Sequence, residues 1–318
     1  MSSRIHVSMP LRGPAARAGR DVVRGVELAL EGASEAIVVD LHDAFATDRE
    51  AKAVENARIA AADEDALAYI GDFHSSQVAQ TAPVLGAAGL LQIAPVATWI
   101  GLEGPTLVCL APHDGLGAEA IAAWLVDMGV ASLLVVHDHD SGYGVPVGAM
   151  CAAAARERGL STRLRPVWDQ EEELEPDFEG VEAVLYVGVA GSGAVALWQA
   201  LHAASPRAWL LGTEGVATPW LAHELTPSAA DRSRFFVAQR APLAFSGFEA
   251  MSLALDAIAA GESERNAVVE AARGVRDRES AIGRYSLDAQ GKTTSMAYGR
   301  LAVVDGELAW DLGTHRRR

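Results

Sequence analysis

Short, continuously apolar runs alternate along the chain with longer segments whose apolar residues recur at helical spacing. Ile5 to Ser8 reads as a strand. After a turn at Met9 to Pro14, Ala15 to Leu30 places Ala18, Val22, Val26 and Ala29 on one helical face, and Gly32 ends it. Ala36 to Leu41 is a strand, and Thr47 to Ala61 is a helix with Thr47 as its expected cap. Tyr69 to Leu102 then reads strand, helix, strand, with Ser75 and Ser76 opening the helix and Pro95-Val96-Ala97-Thr98 closing the second strand. Strands follow at 107–110, 132–136, 161–167, 183–188, 208–212 and 235–238. Helices follow at 118–128, 144–155, 193–203, 248–260 and 267–272, and a hairpin turning at Asp305-Gly306 ends the pattern.

Strands that are apolar throughout are buried on both faces, and strands separated by helices pair in parallel, so the pattern predicts an α/β protein with helices covering both sides of its sheets. The 318 residues exceed what one core organises, and the alternation restarts near Asp114. Two doubly wound, Rossmann-like lobes are therefore expected, with a ligand between them where strand carboxyl ends and helix amino ends converge.

Charge narrows the partners. A net charge of -16 disfavours nucleic acid and anionic membrane surfaces, and the one basic run, Arg316 to Arg318, reads as a solvated tail. No apolar run reaches about 18 residues, so no membrane span is expected. The amino terminus enters a strand directly, without the pattern of a secretion signal. Cys109 and Cys151 have no metal-motif spacing and read as buried free thiols.

Candidate chemistry collects at strand ends. Ser75 at a helix start reads first as a cap, yet the unpaired N–H groups there also suit a carboxylate. With Thr98 one strand away, the two hydroxyls form a candidate carboxylate clamp. His137-Asp138-His139-Asp140 alternates metal-ligand types, but neighbouring loop residues point apart and zinc spacing is missing, so no metal is expected. Tyr143 can offer an aromatic face. Gly191-Ser192-Gly193 lacks the third glycine of a dinucleotide loop and the lysine of a phosphate loop, so no nucleotide cofactor is expected. The acidic run Asp169 to Asp177 reads as a solvated loop. Glu214 follows a strand, either as a solvated loop acid or as a buried carboxylate facing a ligand cation. Nothing arranges a nucleophile, a base and an orienting acid, so the chain is not expected to be an enzyme.

Six segments in order, PLRGPAARAGRDVVRGVELAL, YIGDFHSS, IAPVATWIGL, VVHDHDSGYG, LLGTEGVA and SLDAQGK, resemble substrate-binding proteins of ABC transporters of the branched-chain amino acid type. The resemblance implies a type I periplasmic-binding-protein fold whose lobes, 1–113 plus 239–285 and 114–238 plus 286–318, join through a three-crossing hinge. It implies that Ser75 contacts a ligand carboxylate, that Val96, next to Ala97, offers a backbone carbonyl to the ligand ammonium, and that Thr98 meets both ends. Tyr143 then covers the ligand and Glu214 pairs with its ammonium. A free amino acid is the implied ligand, ABC permease subunits the implied partners, and the implied location is outside the cytoplasm. A ligand-sensing regulatory domain of the same fold is the alternative.

Departures from the family pattern bear on the ligand. Aromatics that many relatives carry fall at Ala18 and about Ala190 here, which should enlarge the side-chain pocket. Trp99 and Arg12 are positioned to refill it, and Arg12 suits an acidic ligand group. The disulfide of some relatives has no cysteines near His74 and Phe45.

Overall fold

A computed structural model describes residues 3–33, 37–139, 142–167, 180–191, 193–238, 242–261, 264–295 and 298–311. Its contacts divide the chain into two compact units, Met1–His113 with Ala241–Ala297 and Asp114–Arg240 with Tyr298–Arg318. The last passage between units was expected at 285/286 and falls instead at 297/298. Leu287, 2% exposed, lies past the expected boundary and is sealed into the first unit's core. The acidic run 169–177, the tail 316–318, Asp140 and Ser192 lie outside the described residues.

The first unit opens with β1 (Ser3–Met9), α1 (Ala16–Leu30), β2 (Ile37–Asp43), α2 (Arg49–Ala62), β3 (Ala66–Ile70), α3 (Ser75–Ala87), β4 (Leu91–Ala94) and β5 (Leu107–Cys109). These strands form one parallel sheet in the order β2-β1-β3-β4-β5. Every residue of β3 and β4 is buried, as continuous apolar runs require. Asp48, not Thr47, caps α2, its carboxylate accepting from Ala51 N at 2.9 Å. The aspartate stands directly before the first helical residue, where a side-chain oxygen reaches the free N–H groups.

The second unit follows with α4 (Asp114–Asp127), β6 (Ser132–Asp138), α5 (Gly144–Glu157), β7 (Ser161–Val167), β8 (Ala183–Val187), α6 (Ala194–Ala204), β9 (Trp209–Thr213), a short 3-10 turn at Glu214–Val216, α7 (Pro219–Glu224), α8 (Pro227–Arg232) and β10 (Ser233–Val237). α7 and α8 were not anticipated. Each begins with threonine then proline, and the Thr218 and Thr226 hydroxyls accept from Leu221 N and Ala229 N. A capping hydroxyl and a proline already set to helical φ start a helix without apolar periodicity.

The chain returns to the first unit for α9 (Leu243–Ala260) and α10 (Arg265–Arg273), then closes the second with the hairpin β11 (Gly299–Val304) and β12 (Glu307–Trp310). The second sheet runs β12-β11-β10-β9-β8-β6-β7, antiparallel only where β11 joins β10 and β12. With 18 residues and mean hydropathy 1.4, α9 does reach membrane-spanning length, contrary to the expectation. It packs on α1 so closely that a Cβ on Gly25 would stand 1.8 Å from Ala244 O, and one on Gly247 1.9 Å from Val22 O. Ala250, Met251, Leu253 and Ala254 belong to the first core, which accounts for the apolar composition of α9.

Both sheets reverse their winding once, between β1 and β3 and between β6 and β8. Strand ends at such switch points open a crevice where ligands bind.

Candidate functional site

In the first unit, candidate groups lie on the loops leaving β1, β3 and β4. His74 takes the cap position of α3, its N–H donating to Gln77 Oε1 at 3.2 Å, and Ser75 is the first helical residue. Ser75 therefore does not cap the helix. Its Oγ accepts from the N–H groups of Thr98 and Trp99, each at 3.2 Å, and so ties the helix start to the loop after β4. An oxygen that accepts two N–H donors becomes a better O–H donor itself, which suits Ser75 to an incoming carboxylate. Thr98 is buried, Ala97 is buried and Val96 is partly buried against the core. Lys292 Nζ donates to Ile100 O, fixing the far side of the same loop.

Trp99 and Arg12, expected to refill the side-chain pocket, lie on the loops after β4 and β1. Trp99, 41% exposed, folds over Gly101, where a Cβ would meet its ring at 2.7 Å. Arg12 binds Asp43 at 2.5 Å and lies over the Phe45 ring. Burial pushes the Asp43 carboxyl up, but the N–H of Leu11, the Arg12 guanidinium and the N–H of Phe45 together hold it below the usual range. The His74 imidazole is pushed down to about 4 by burial and then by Arg49, so it is neutral at pH 7.

Sequence reasoning missed Asp72. Fully buried behind the Ser75 loop, it accepts from Tyr69 OH at 2.9 Å and Thr81 Oγ1 at 3.0 Å. Gln92 Nε2 extends the network to Gly71 O and Thr81 Oγ1. Burial raises the Asp72 carboxyl to about 6 against the opposing hydrogen bonds from Ser8, Tyr69 and Thr81. The signal was a lone acid inside the short loop from β3 to α3.

In the second unit, Tyr143 and Glu214 do come together. Tyr143 precedes α5, and Glu214 begins the turn after β9 with its Oε2 accepting from Ala238 N at 3.1 Å. Both line a cavity of about 10 Å³ with Asp114, Thr213, Phe236 and Tyr298, room for about one water. Burial, then the charges of Glu214 and Asp114, hold both phenols well above their ordinary range, so both are neutral. Asp114 and Tyr298 were missed. Asp114 looked like a domain start, and Tyr298 lies far along the chain, where only a Gly117 without a Cβ admits its ring.

Ala190 stands apart from this cavity, half-buried against the core on the other face of the sheet, its N–H donating to Gly215 O. Gly215 is forced to be glycine, because a Cβ would stand 2.2 Å from Gly188 O. His137 and Asp138 do not converge on an ion. His137 packs against Gly148, while Asp138 holds Tyr186 OH and Val189 N. Cys109 and Cys151 are free and buried, each thiol pushed up to about 12 by burial.

No protein-family model matches the chain, and no curated protein matches it. Solved structures do match. A leucine-binding protein LivK from Thermotoga maritima aligns over 97% of this chain and 97% of its own, with TM-score 0.78 and 20% identity. An ABC transporter substrate-binding protein from Desulfitobacterium hafniense, solved in complex with Leu, covers 97% of this chain and 99% of its own, with TM-score 0.81 and 17% identity. The branched-chain amino acid substrate-binding protein LivJ from Streptococcus pneumoniae, in complex with isoleucine, covers 98% and 100%, with TM-score 0.75 and 15% identity. At these identities the likeness is one of fold, and the chain has the two-unit α/β fold of type I periplasmic binding proteins.

Proposed function

We propose that this protein is a solute-binding protein, not an enzyme, that captures a free amino acid or close analogue outside the cytoplasm and delivers it to an ABC importer. The observation that carries the reading is the cavity of the second unit. It is the size of one ammonium group, and Glu214, Asp114, Tyr143 and Tyr298 are among the residues around it. A cation gains both charge and hydrogen bonds in such a lining.

The first unit supplies the complementary half. Ser75, Thr98 and the N–H groups at the start of α3 hold the ligand carboxylate, and the Val96 carbonyl faces the ammonium. The first unit thus takes the carboxylate and part of the ammonium, and the second unit's acids take the rest of the ammonium. Solved relatives of this fold that carry Leu or isoleucine support the ligand class.

The test is calorimetry and thermal unfolding with a panel of proteinogenic amino acids. An amino acid present at a hundred times its Kd should add about 2.7 kcal/mol of stability. A panel in which none shifts unfolding rules out amino-acid capture.

A further inference from the structure

At the edge of the first unit's sheet, the ligand clamp leaves a polar cluster unused. His6 on β1 is 2% exposed, yet both ring nitrogens are engaged: Nε2 lies 3.1 Å from Asp63 Oδ2, and Nδ1 lies 2.8 Å from His42 Nε2 on β2. The two rings are nearly parallel, at 8°, so the pair holds the His6 ring at a fixed angle. Arg4 lies beside the carboxylates, with Nη1 2.9 Å from Asp40 Oδ2 and Nε 3.2 Å from Asp63 Oδ2. The Arg4 Nε is buried and finds no acceptor in hydrogen-bond geometry. The guanidinium neutralises the charge here without completing the bonding.

We propose that His6, Asp40 and Asp63 form a site for a divalent cation of the zinc or nickel kind, with Arg4 as a tethered competitor that swings away when the ion binds. One ligand atom from each of the three residues lies within 4.8 Å of the others. A tetrahedral zinc site sets its donors about 3.4 Å apart. His6 Nε2 and Asp63 Oδ2 stand 3.1 Å apart, a few tenths of an ångström inside that separation. Asp40, whose side chain is 36% exposed and held by Arg4, can close the remainder once Arg4 swings away.

The donor set also selects the ion. One imidazole nitrogen and two carboxylates, with positions open to water, suit a borderline transition ion, whereas magnesium and calcium prefer oxygen alone. With Nε2 on the metal, His6 donates Nδ1–H to His42, the outer hydrogen bond that orients metal-bound histidines. An ion there ties together β1, β2 and the turn from α2 to β3. That stabilises the sheet edge, independently of amino-acid binding.

Zinc chloride and magnesium chloride titrated into the full chain, read by calorimetry and thermal unfolding, test this. Zinc should bind the wild type saturably at one ion per chain and raise its Tm, and magnesium should do neither. Arg4→Ala is the telling variant. An ion-pair network simply loses a partner, but a metal site loses its competitor and should bind zinc at least tenfold more tightly. Asp40→Asn, at an exposed position that folding tolerates, should bind at least tenfold more weakly, as should His6→Gln where it folds. Equal or weaker zinc binding by Arg4→Ala, or binding untouched by Asp40→Asn, overturns the site and leaves the Arg4 ion pairs as the cluster's whole role.

Discussion

The two candidate half-sites differ in chemistry. The first unit offers uncharged groups, the Ser75 hydroxyl tied to Thr98 and Trp99 and the start of α3, which under the proposed function meet the ligand carboxylate. The second places Asp114, Glu214, Tyr143 and Tyr298 around a cavity of about 10 Å³, which under the same proposal takes the ammonium. Backbone amides come with the fold and are placed by any sequence that forms the loop. A half-buried acid is a single side chain in a costly environment, and it must be supported by its surroundings. The anion half should therefore yield gradually to substitution, while the cation half should fail at one residue.

Glu214→Gln gives the largest expected effect. It removes the charge while keeping shape, and should weaken amino-acid binding about a hundredfold, near 2.7 kcal/mol, by calorimetry. A loss below about threefold would erase the contrast between the halves.

Asp72 offers an effect of similar size on stability. Its folded pKa of about 6 stands some two units above the ordinary aspartate value of 3.8, so the folded state binds the proton more tightly. Stability should rise by about 2 kcal/mol as pH falls from 7 to 4, counting this group alone, and be lost again on returning through 6. Urea unfolding across that range, repeated with Asp72→Asn, checks the sign. The variant should flatten the slope, and an unchanged slope would place the titration elsewhere.

Gly215→Ala should cost about 1 to 3 kcal/mol, because its methyl meets the Gly188 carbonyl and pushes the β9 turn away from the cavity. Ser75→Ala should cost least, about 1 kcal/mol or a fivefold loss of affinity, since the N–H groups at the start of α3 stay in place to bind the ligand. If Ser75→Ala abolished binding while Glu214→Gln spared it, the comparison would be reversed.

The sequence made the fold legible because strands buried on both faces, such as ALAYI at 66–70 and AVLYV at 183–187, read as unbroken apolar runs. It concealed α7 and α8, whose starting signal is two Thr-Pro pairs and not a periodicity. Tyr285 and Leu287 escaped as core residues because they lie in isolated bridges, with no strand to announce them. Glu214 was singled out in the sequence because it directly follows an apolar run, and Ser75 and Tyr143 because they stand where the loops leaving β3 and β6 enter helices. Asp114 and Tyr298 were not, because their approach to Glu214 depends on side-chain direction across α4 and on a glycine that makes room. Asp72 was visible but looked like an ordinary polar loop residue, since burial of a carboxylate leaves no local trace in the chain.

The central claim is that the second unit reads an ammonium group, and one comparison addresses it. Calorimetry should be run with the best-bound amino acid of the panel and with its deaminated acid, on wild type and on Glu214→Gln. The account predicts at least hundredfold preference for the amino acid in the wild type, shrinking to tenfold or less in the variant because only amino-acid binding is lost. Equal binding of both compounds by the wild type, or a preference that survives Glu214→Gln intact, would contradict it.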